Sequence, residues 1–464
     1  MKRMQNNGTA TEALAQMVAD LRFADVPSDV VERAKDLVLD HIGVTLYGAR
    51  MPWSQQVREL VLEEGGAGCS TIFGATRVPA RAAALVNGAA AHAAELDDTH
   101  DEALSHPGAA VLPAAFAVAE MRAASGADFL VAMVAGYEAM CRIGVQLGRT
   151  LQLRGWHPTA TCGVFGASAA ACSLMRLNPE GVSGAFGSAA SMASGHMQFT
   201  QDPVRTTIKR LYGGLPAERG VFSAQLAARG FSGPQGAIEG AWGFAKVMAG
   251  VHGVDRIFDR LGETFELPRV AVKLYSCCKL FHSLVEAIGN CRAEHSFTVD
   301  DIVAIEPFGP SHMIHGHMER RPKSMMAAQY SLPYVCAVVM LRDPSLPESF
   351  SEDALDDASL LRVADIVLPV VDESLEAIFP RKIPGGVRIT LRSGAVLSST
   401  VIDSKSSEER PLSRSGIKAK FRNLTKSTMS EDHQSRIIEM TNDLDRIESI
   451  TKLTDLLCDL RSPT

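Results

Sequence analysis

From residue 79 to about residue 250 the chain is a succession of segments rich in Ala, Gly and Ser: 79–93, 108–125, 127–149, 160–176, 180–198 and 215–230. Side chains this small let helices approach one another closely, and a chain with so many of them is constrained to bury helix against helix. Membrane helices share the composition. Here, however, the most apolar stretch, "ADFLVAMVAGYEAMCRIGVQL", carries Glu138 and Arg142, and lacks the ~20 clean apolar residues that a span needs. The expectation is an all-helical core with no membrane partner. Upstream, "VPSDVVERAKDLVLDHIGVTLYG" gives the first clear helix. Val31, Ala34, Leu37, Val38 and Ile42 recur at helical spacing, with Ser28 as the expected N-cap after Pro27.

The texture changes near residue 267. "TVDDIVAIEPFG", "RVADIVLPVVD" and "GGVRITLRSGAVLSSTVID" are β-branched, the last reading as a hairpin around Ser393-Gly394. Helical patches such as "SLVEAIGNCRAE" and "MMAAQYSLPYVCAVVMLRD" lie between them. After the charged stretch "SKSSEERPLSRS", helical pattern returns in "SRIIEMTNDLDRIESITKLTDLLCDL". The predicted fold class is therefore mainly α. Residues 1–267 form the first part of a helical domain, 268–404 an inserted α+β domain, and 405–464 the return of the helical domain.

Hydrophobic residues make up 46% of the chain and charged residues 21%, an ordinary globular balance. The net charge of -7 argues against nucleic acid or an anionic membrane surface as partner. It leaves room for a small acidic substrate held by a local cluster of Lys and His. The nine cysteines include no CxxC pair, and Cys277 and Cys278 are adjacent, which disfavours a mutual disulfide. With "MKRMQNNGTATEALAQ" offering no apolar signal-peptide core, the expectation is a reduced, cytoplasmic protein.

Four stretches concentrate chemistry. "AELDDTHDEALSHPG" (94–108) packs five carboxylates and two histidines between two apolar helices. His92, Glu95, Asp98 and His100 have spacings a metal could use, but no HExxH or comparable signature accompanies them, so no metal is assigned. A solvated loop suits Asp101 and Glu102 better than Glu95, Asp98 or His106. His106 precedes Pro107-Gly108, a helix start whose backbone N–H groups favour an anion. "GWHPTATCGVFGASAAAC" repeats the idea with His157-Pro158. "VRTTIKRLYGG" offers Lys209 and Arg210. "VAVKLYSCCKLFHS" places Lys273 and His282 around the Cys pair, where a Lys or His could lower a thiol pKa, although small buried cysteine is the commoner case. No GxxxxGK[ST] and no GxGxxG after a strand are present, so no nucleotide cofactor is expected.

Together "ELDDTH…HPG", "GWHPTATCGVFGA", "IKRLYGG…ERG" and "KLYSCCKLFH" resemble the MmgE/PrpD family, in its order and at its spacing, from about residue 10 to 460. That family includes 2-methylcitrate dehydratase, cis-aconitate decarboxylase and iminodisuccinate epimerase. "PSDVVERAKDLVLDHIGVTLYGARMPWS" and "ELDD" look most like the decarboxylase branch. The resemblance implies a large helical domain made from both chain ends with a smaller α+β lid. It also implies a homodimer, no required cofactor, and an active site between the two domains. The resemblance places Asp98, Thr99, His106, His157, Lys209 and Lys273 in that site; the expected catalytic residues are His106, His157, Asp98 and Thr99, with Lys209, Lys273, Glu95, Tyr212 and His282 expected to bind a small polycarboxylate. Four positions depart from the pattern: Glu95 stands where Asp is common, Tyr212 where His is frequent, Pro216 where Ala is frequent, and Lys279 where a small or neutral residue is usual.

These chemistries share one physical need, which is to hold several carboxylates and move a proton at a carbon alpha to one of them. The expected function is a cofactor-independent lyase, decarboxylating or dehydrating a small tricarboxylate. The alternatives are an epimerase of a dicarboxylate such as iminodisuccinate, and a non-catalytic organic-acid-binding protein.

Overall fold

The computed structural model describes residues 8–202, 206–458 and 460. The chain divides into two compact units. The first comprises Met1–Met197, Ile208–Val270 and Ser413–Thr464, the second Gln198–Thr207 and Ala271–Leu412. The transitions thus fall at 270/271 and 412/413 rather than at 267 and 405, and the short stretch 198–207 belongs with the second unit. Mainly helical architecture with a small α/β portion is what the sequence texture predicted.

In the first unit the small-residue segments become the helices Ala80–Ala91, Pro107–Met121, Gly126–Leu153, Pro158–Leu174, Pro179–Met192 and Leu211–Ala227. Pro107–Met121 is buried on every face until its last residue, Met121, as a helix that is apolar all round must be. Gly126–Leu153 is long and apolar enough to cross a membrane, but 89% of its most apolar window is buried inside the unit. The first long helix runs Ser28–Gly48. Ser28 is its first helical residue rather than its cap, and Pro27 holds the N-cap position with no side-chain bond to offer. Helix Arg414–Thr425, the first after the second unit, packs against this helix.

One close approach matters to the site. Helix Ala80–Ala91 packs on Leu211–Ala227 through glycine. A Cβ added at Gly88 would lie 2.7 Å from the Gly214 Cα and 2.8 Å from the Gly213 carbonyl carbon, and one at Gly214 would lie 2.3 Å from the Leu85 oxygen. The two backbones are in contact, with no space for a methyl group between them. His92 follows directly on the first of these helices, and Lys209 and Arg210 directly precede the second.

The second unit contains a four-stranded sheet in the order Val370–Val371, Ile302–Gly309, Gly385–Leu391, Val396–Val401. The last two strands form the hairpin expected at Ser393-Gly394, where Gly394 turns the chain at φ +86°. "RVADIVLPVVD" differs from its β-branched reading. Its first four residues end the helix Ala358–Asp365, and only Val370–Val371 pairs as a strand. The Asp357 side chain caps that helix at Ser359 N, and Leu360, Val363 and Ala364 give it a buried stripe. Capping plus i, i+3, i+4 burial outweighs the strand preference of the valines.

Candidate active site

The loop 92–106 runs between helices Ala80–Ala91 and Pro107–Met121 and is folded over its own carboxylates. Asp98 is buried and both of its oxygens are occupied. Gly108 N donates to Oδ1 at 2.8 Å and the Tyr137 hydroxyl donates to Oδ2 at 2.6 Å. Burial outweighs these two bonds and pushes its carboxyl up to about 7. The same contact explains Gly108, since a Cβ there would lie 2.7 Å from Asp98 Oδ2. One of the helix amides expected beside His106 to face a substrate anion is already engaged. The protein's own carboxylate takes the Gly108 amide at that helix mouth.

His106 occupies the N-cap position of Pro107–Met121, yet its side chain makes no capping bond. Its Nδ1 lies 2.8 Å from the Asp98 carbonyl oxygen and 3.5 Å from Asp97 Oδ2. A carbonyl can only accept, so Nδ1 carries the hydrogen and Nε2 the lone pair of the neutral ring. The backbone N–H of His106 donates to Thr159 Oγ1 at 3.0 Å, which ties this loop to the start of helix Pro158–Leu174. The imidazole is 12% exposed. Thr99 is buried on the same loop.

His157, at the N-cap of Pro158–Leu174, is buried, its backbone N–H held by the Gly195 oxygen at 2.9 Å. Its ring lies 5.3 Å from Tyr212 and 5.9 Å from His92, and the His92 ring lies 5.2 Å from His106. Burial, then the charge of Lys209, hold His157 well below the usual imidazole range. The Tyr212 hydroxyl donates to the His196 carbonyl at 2.7 Å, and burial raises its pKa.

Lys209 and Glu95 are both fully buried and paired with each other, and Arg210 Nη1 reaches the same Glu95 oxygen at 2.7 Å. Glu95 sits at φ +56°, a left-handed conformation that costs a residue with a Cβ roughly 1–2 kcal/mol. Two cations on its carboxylate compensate, and together they aim it inward. The substrate-binding expectation for Lys209 thus meets a cation already engaged within the protein.

The sequence-level metal set does not gather. His92 Nδ1 lies 2.7 Å from Asp97 Oδ2, and Glu95 faces Lys209 and Arg210. Asp98 faces Gly108 and Tyr137, while His100 Nε2 meets Glu266 at 2.9 Å. Among the described residues no group of three His, Cys, Asp or Glu side chains is placed to hold a metal ion.

Lys273 and His282 lie in the second unit, both fully buried. Burial, then the neighbouring charges of Lys279 and Lys273, hold His282 well below its ordinary value. Lys279, one of the departures from the family pattern, thereby adds positive charge around His282. Sequence reasoning passed over Asp97 and Tyr137, which bind the site's histidine and carboxyl. Asp97 stood unremarked in the quoted loop. Tyr137 comes from a helix that the sequence marked only as apolar.

A mainly helical protein with a buried His/Lys/carboxylate cluster at facing helix starts is the class that this geometry defines. The MmgE/PrpD N-terminal domain matches residues 12–256 and the MmgE/PrpD C-terminal domain residues 275–446. The chain belongs to the MmgE/PrpD family. A cis-aconitate decarboxylase of Aspergillus terreus (strain NIH 2624 / FGSC A1156) is 32% identical over 480 residues, covering 98% of this chain and 97% of the relative. The cis-aconitate decarboxylase-like protein oryM of Aspergillus oryzae is 29% identical over 97% of each chain. The human cis-aconitate decarboxylase is 25% identical over 96% of this chain and 94% of its own length.

Proposed function

We propose that this protein is a lyase that decarboxylates a small tricarboxylate of the cis-aconitate type without a cofactor, with His106 as the proton carrier. The observation that carries the reading is the tautomer of His106. Its Nδ1–H is fixed on the Asp98 carbonyl, so Nε2 is the nitrogen left to alternate between lone pair and N–H. Full-length similarity to cis-aconitate decarboxylases supports the choice of substrate class.

In this reading the C–C bond to one substrate carboxylate breaks, CO2 leaves, and the electron pair stays on the carbon. The protonated His106 delivers its Nε2 proton to that carbon and takes another from water for the next turnover. A positioned acid of this kind contributes typically ~10²–10⁴-fold in rate. The charge of Lys209 acts on His92 and His157 while it is paired with Glu95, so a substrate carboxylate draws on that charge in competition with Glu95. Charge-assisted bonds formed in a dry site are strong.

The test is incubation of purified protein with cis-aconitate, 2-methylcitrate and iminodisuccinate, following CO2 release, alkene absorbance and optical rotation. CO2 released from cis-aconitate is the expected result. Turnover of 2-methylcitrate or iminodisuccinate with no CO2 from cis-aconitate would replace decarboxylation with dehydration or epimerisation. Binding without turnover of all three would leave the organic-acid-binding reading.

A further inference from the structure

Asp97 is shared by two imidazoles, and this arrangement goes beyond the proton carrier itself. Its Oδ2 lies 2.7 Å from His92 Nδ1 and 3.5 Å from His106 Nδ1. His92 is wholly buried. Burial, then the charge of Lys209, lower its proton affinity, so it is neutral near pH 7, with its hydrogen on the nitrogen that faces Asp97. Its other nitrogen, Nε2, is buried and has no hydrogen-bond partner among the described residues. A buried imidazole with one nitrogen unsatisfied costs free energy that a purely structural residue of the same shape would avoid. Its ring also neighbours both histidines of the candidate site, 5.2 Å from His106 and 5.9 Å from His157.

We propose that His92 and Asp97 are positioning residues for His106: Asp97 supplies negative charge behind the proton-bearing ring, and His92, by donating to the same oxygen, sets how much of that charge His106 receives. The inference rests on the functional reading above for its catalytic meaning, but its physical content concerns one titration. Several groups face His106 from the surrounding elements of its unit. Asp97 and Asp98 come from its own loop, and His92 from the end of helix Ala80–Ala91. His157 and Thr159 come from the start of Pro158–Leu174, with Lys209, paired to Glu95, beyond them. Of these, Asp97 is the carboxylate that a single substitution can hand over to His106 or take away. With His92 gone, Asp97 Oδ2 no longer accepts from that ring, and the protonated form of His106 gains. With Asp97 neutralised, that form loses its counter-charge.

The experiment uses full-length protein with 13C-labelled histidine, His106 being assigned by the resonance missing in His106→Gln. The titration midpoint of His106 is then followed in His92→Phe, His92→Asn and Asp97→Asn. A nearby charge or its screening moves an imidazole by about half a unit or more, so His92→Phe should move the midpoint up and Asp97→Asn down by that much. His92→Asn keeps an N–H donor in the same place and should stay close to wild type. Where the wild type decarboxylates cis-aconitate, the ionisation seen in kcat/KM against pH should move in the same two directions. Thermal midpoints confirm folding, and should His92→Phe fail to fold, the opposed behaviour of Asp97→Asn and His92→Asn carries the test. A His106 midpoint that ignores folded Asp97→Asn, or that moves the same way in His92→Phe and Asp97→Asn, overturns the proposal. Absence of decarboxylation overturns the functional reading instead, and leaves the titration to decide this one.

Discussion

Replacing Asp98 with Asn tests the account of the loop most directly. Asn has nearly the shape of a protonated Asp, with an oxygen for the Gly108 amide and an NH2 group that can donate to Tyr137. The exchange therefore removes the ability to ionise and little else. In the folded protein burial raises the Asp98 carboxyl from 3.8 to about 7. Between those values the folded state keeps a proton that the unfolded state has released, so stability falls as pH rises through the window and levels off above it. The interval corresponds to roughly 4 kcal/mol in all, and about 3 kcal/mol of it lies between pH 5 and 8, as an upper bound. Glu138, also raised to about 7, adds a fall of the same sign, but it is present in both proteins and cancels in the comparison. Urea unfolding of wild type and Asp98→Asn at pH 5, 6, 7 and 8 measures the difference. The Asn variant should gain on wild type by up to roughly 3 kcal/mol across that range, most of it below pH 7. Parallel stability curves for the two proteins would refute the claim that this carboxyl holds its proton near neutrality.

Glu95→Gln leaves Lys209 and Arg210 buried against a neutral amide and should destabilise by about 3–5 kcal/mol, whereas Lys209→Met leaves Arg210 on Glu95 and should cost less. A cycle with the double variant should show coupling well above about 0.5 kcal/mol, and additive losses would mean that the pair is not a unit. His106→Gln should fold with a thermal midpoint near wild type, because its side chain caps no helix, and should lose ~10²–10⁴-fold in kcat on cis-aconitate. A folded variant that keeps more than about a tenth of wild-type kcat would remove His106 from the chemistry. Lys273→Ala should raise KM for the tricarboxylate as well as lower kcat, and wild-type values for both would take Lys273 out of substrate binding. Dialysis against EDTA should leave turnover unchanged. Loss that one divalent ion restores would return His92, Glu95 and His100 to consideration as ligands.

The sequence made the helical unit legible because small residues recur in long segments, most of them bounded by Pro, Ser or Asn at the start; Leu211–Ala227, which follows Arg210 and carries Pro216 inside it, is the exception. Pro107, Pro158 and Pro179 mark three of these starts without ambiguity. The two His-Pro dipeptides showed which helix starts to inspect, and both imidazoles do lie in one cluster. What the sequence withheld was pairing across distance. Asp98 and Tyr137 are 39 positions apart, and Glu95 and Lys209 are 114 apart. No periodicity connects them. A carboxylate read as a catalytic group is also spelled like one that caps a helix, and only the Gly108 contact separates the two. The valines near residue 365 misled for a related reason: β-branching is a local preference, while the cap at Asp357 and the buried stripe after it depend on what the segment packs against.

The glycine contact between helices Ala80–Ala91 and Leu211–Ala227 bears on how this site can evolve. Every missense change at codons 88, 213 or 214 adds a side chain where the other backbone already lies. The spacing between His92 at the end of one helix and Lys209 before the other therefore has no graded intermediates open to mutation; it is inherited whole or broken. Drift in substrate preference is channelled elsewhere, into side-chain exchanges on loop 92–106 and the turn Thr207–Arg210, which alter the charges of the site without forcing the two backbones apart. Glu95 illustrates where such a change can fall: it reaches its two cations from a loop, so an Asp there would withdraw the carboxylate by one methylene without pushing on either helix.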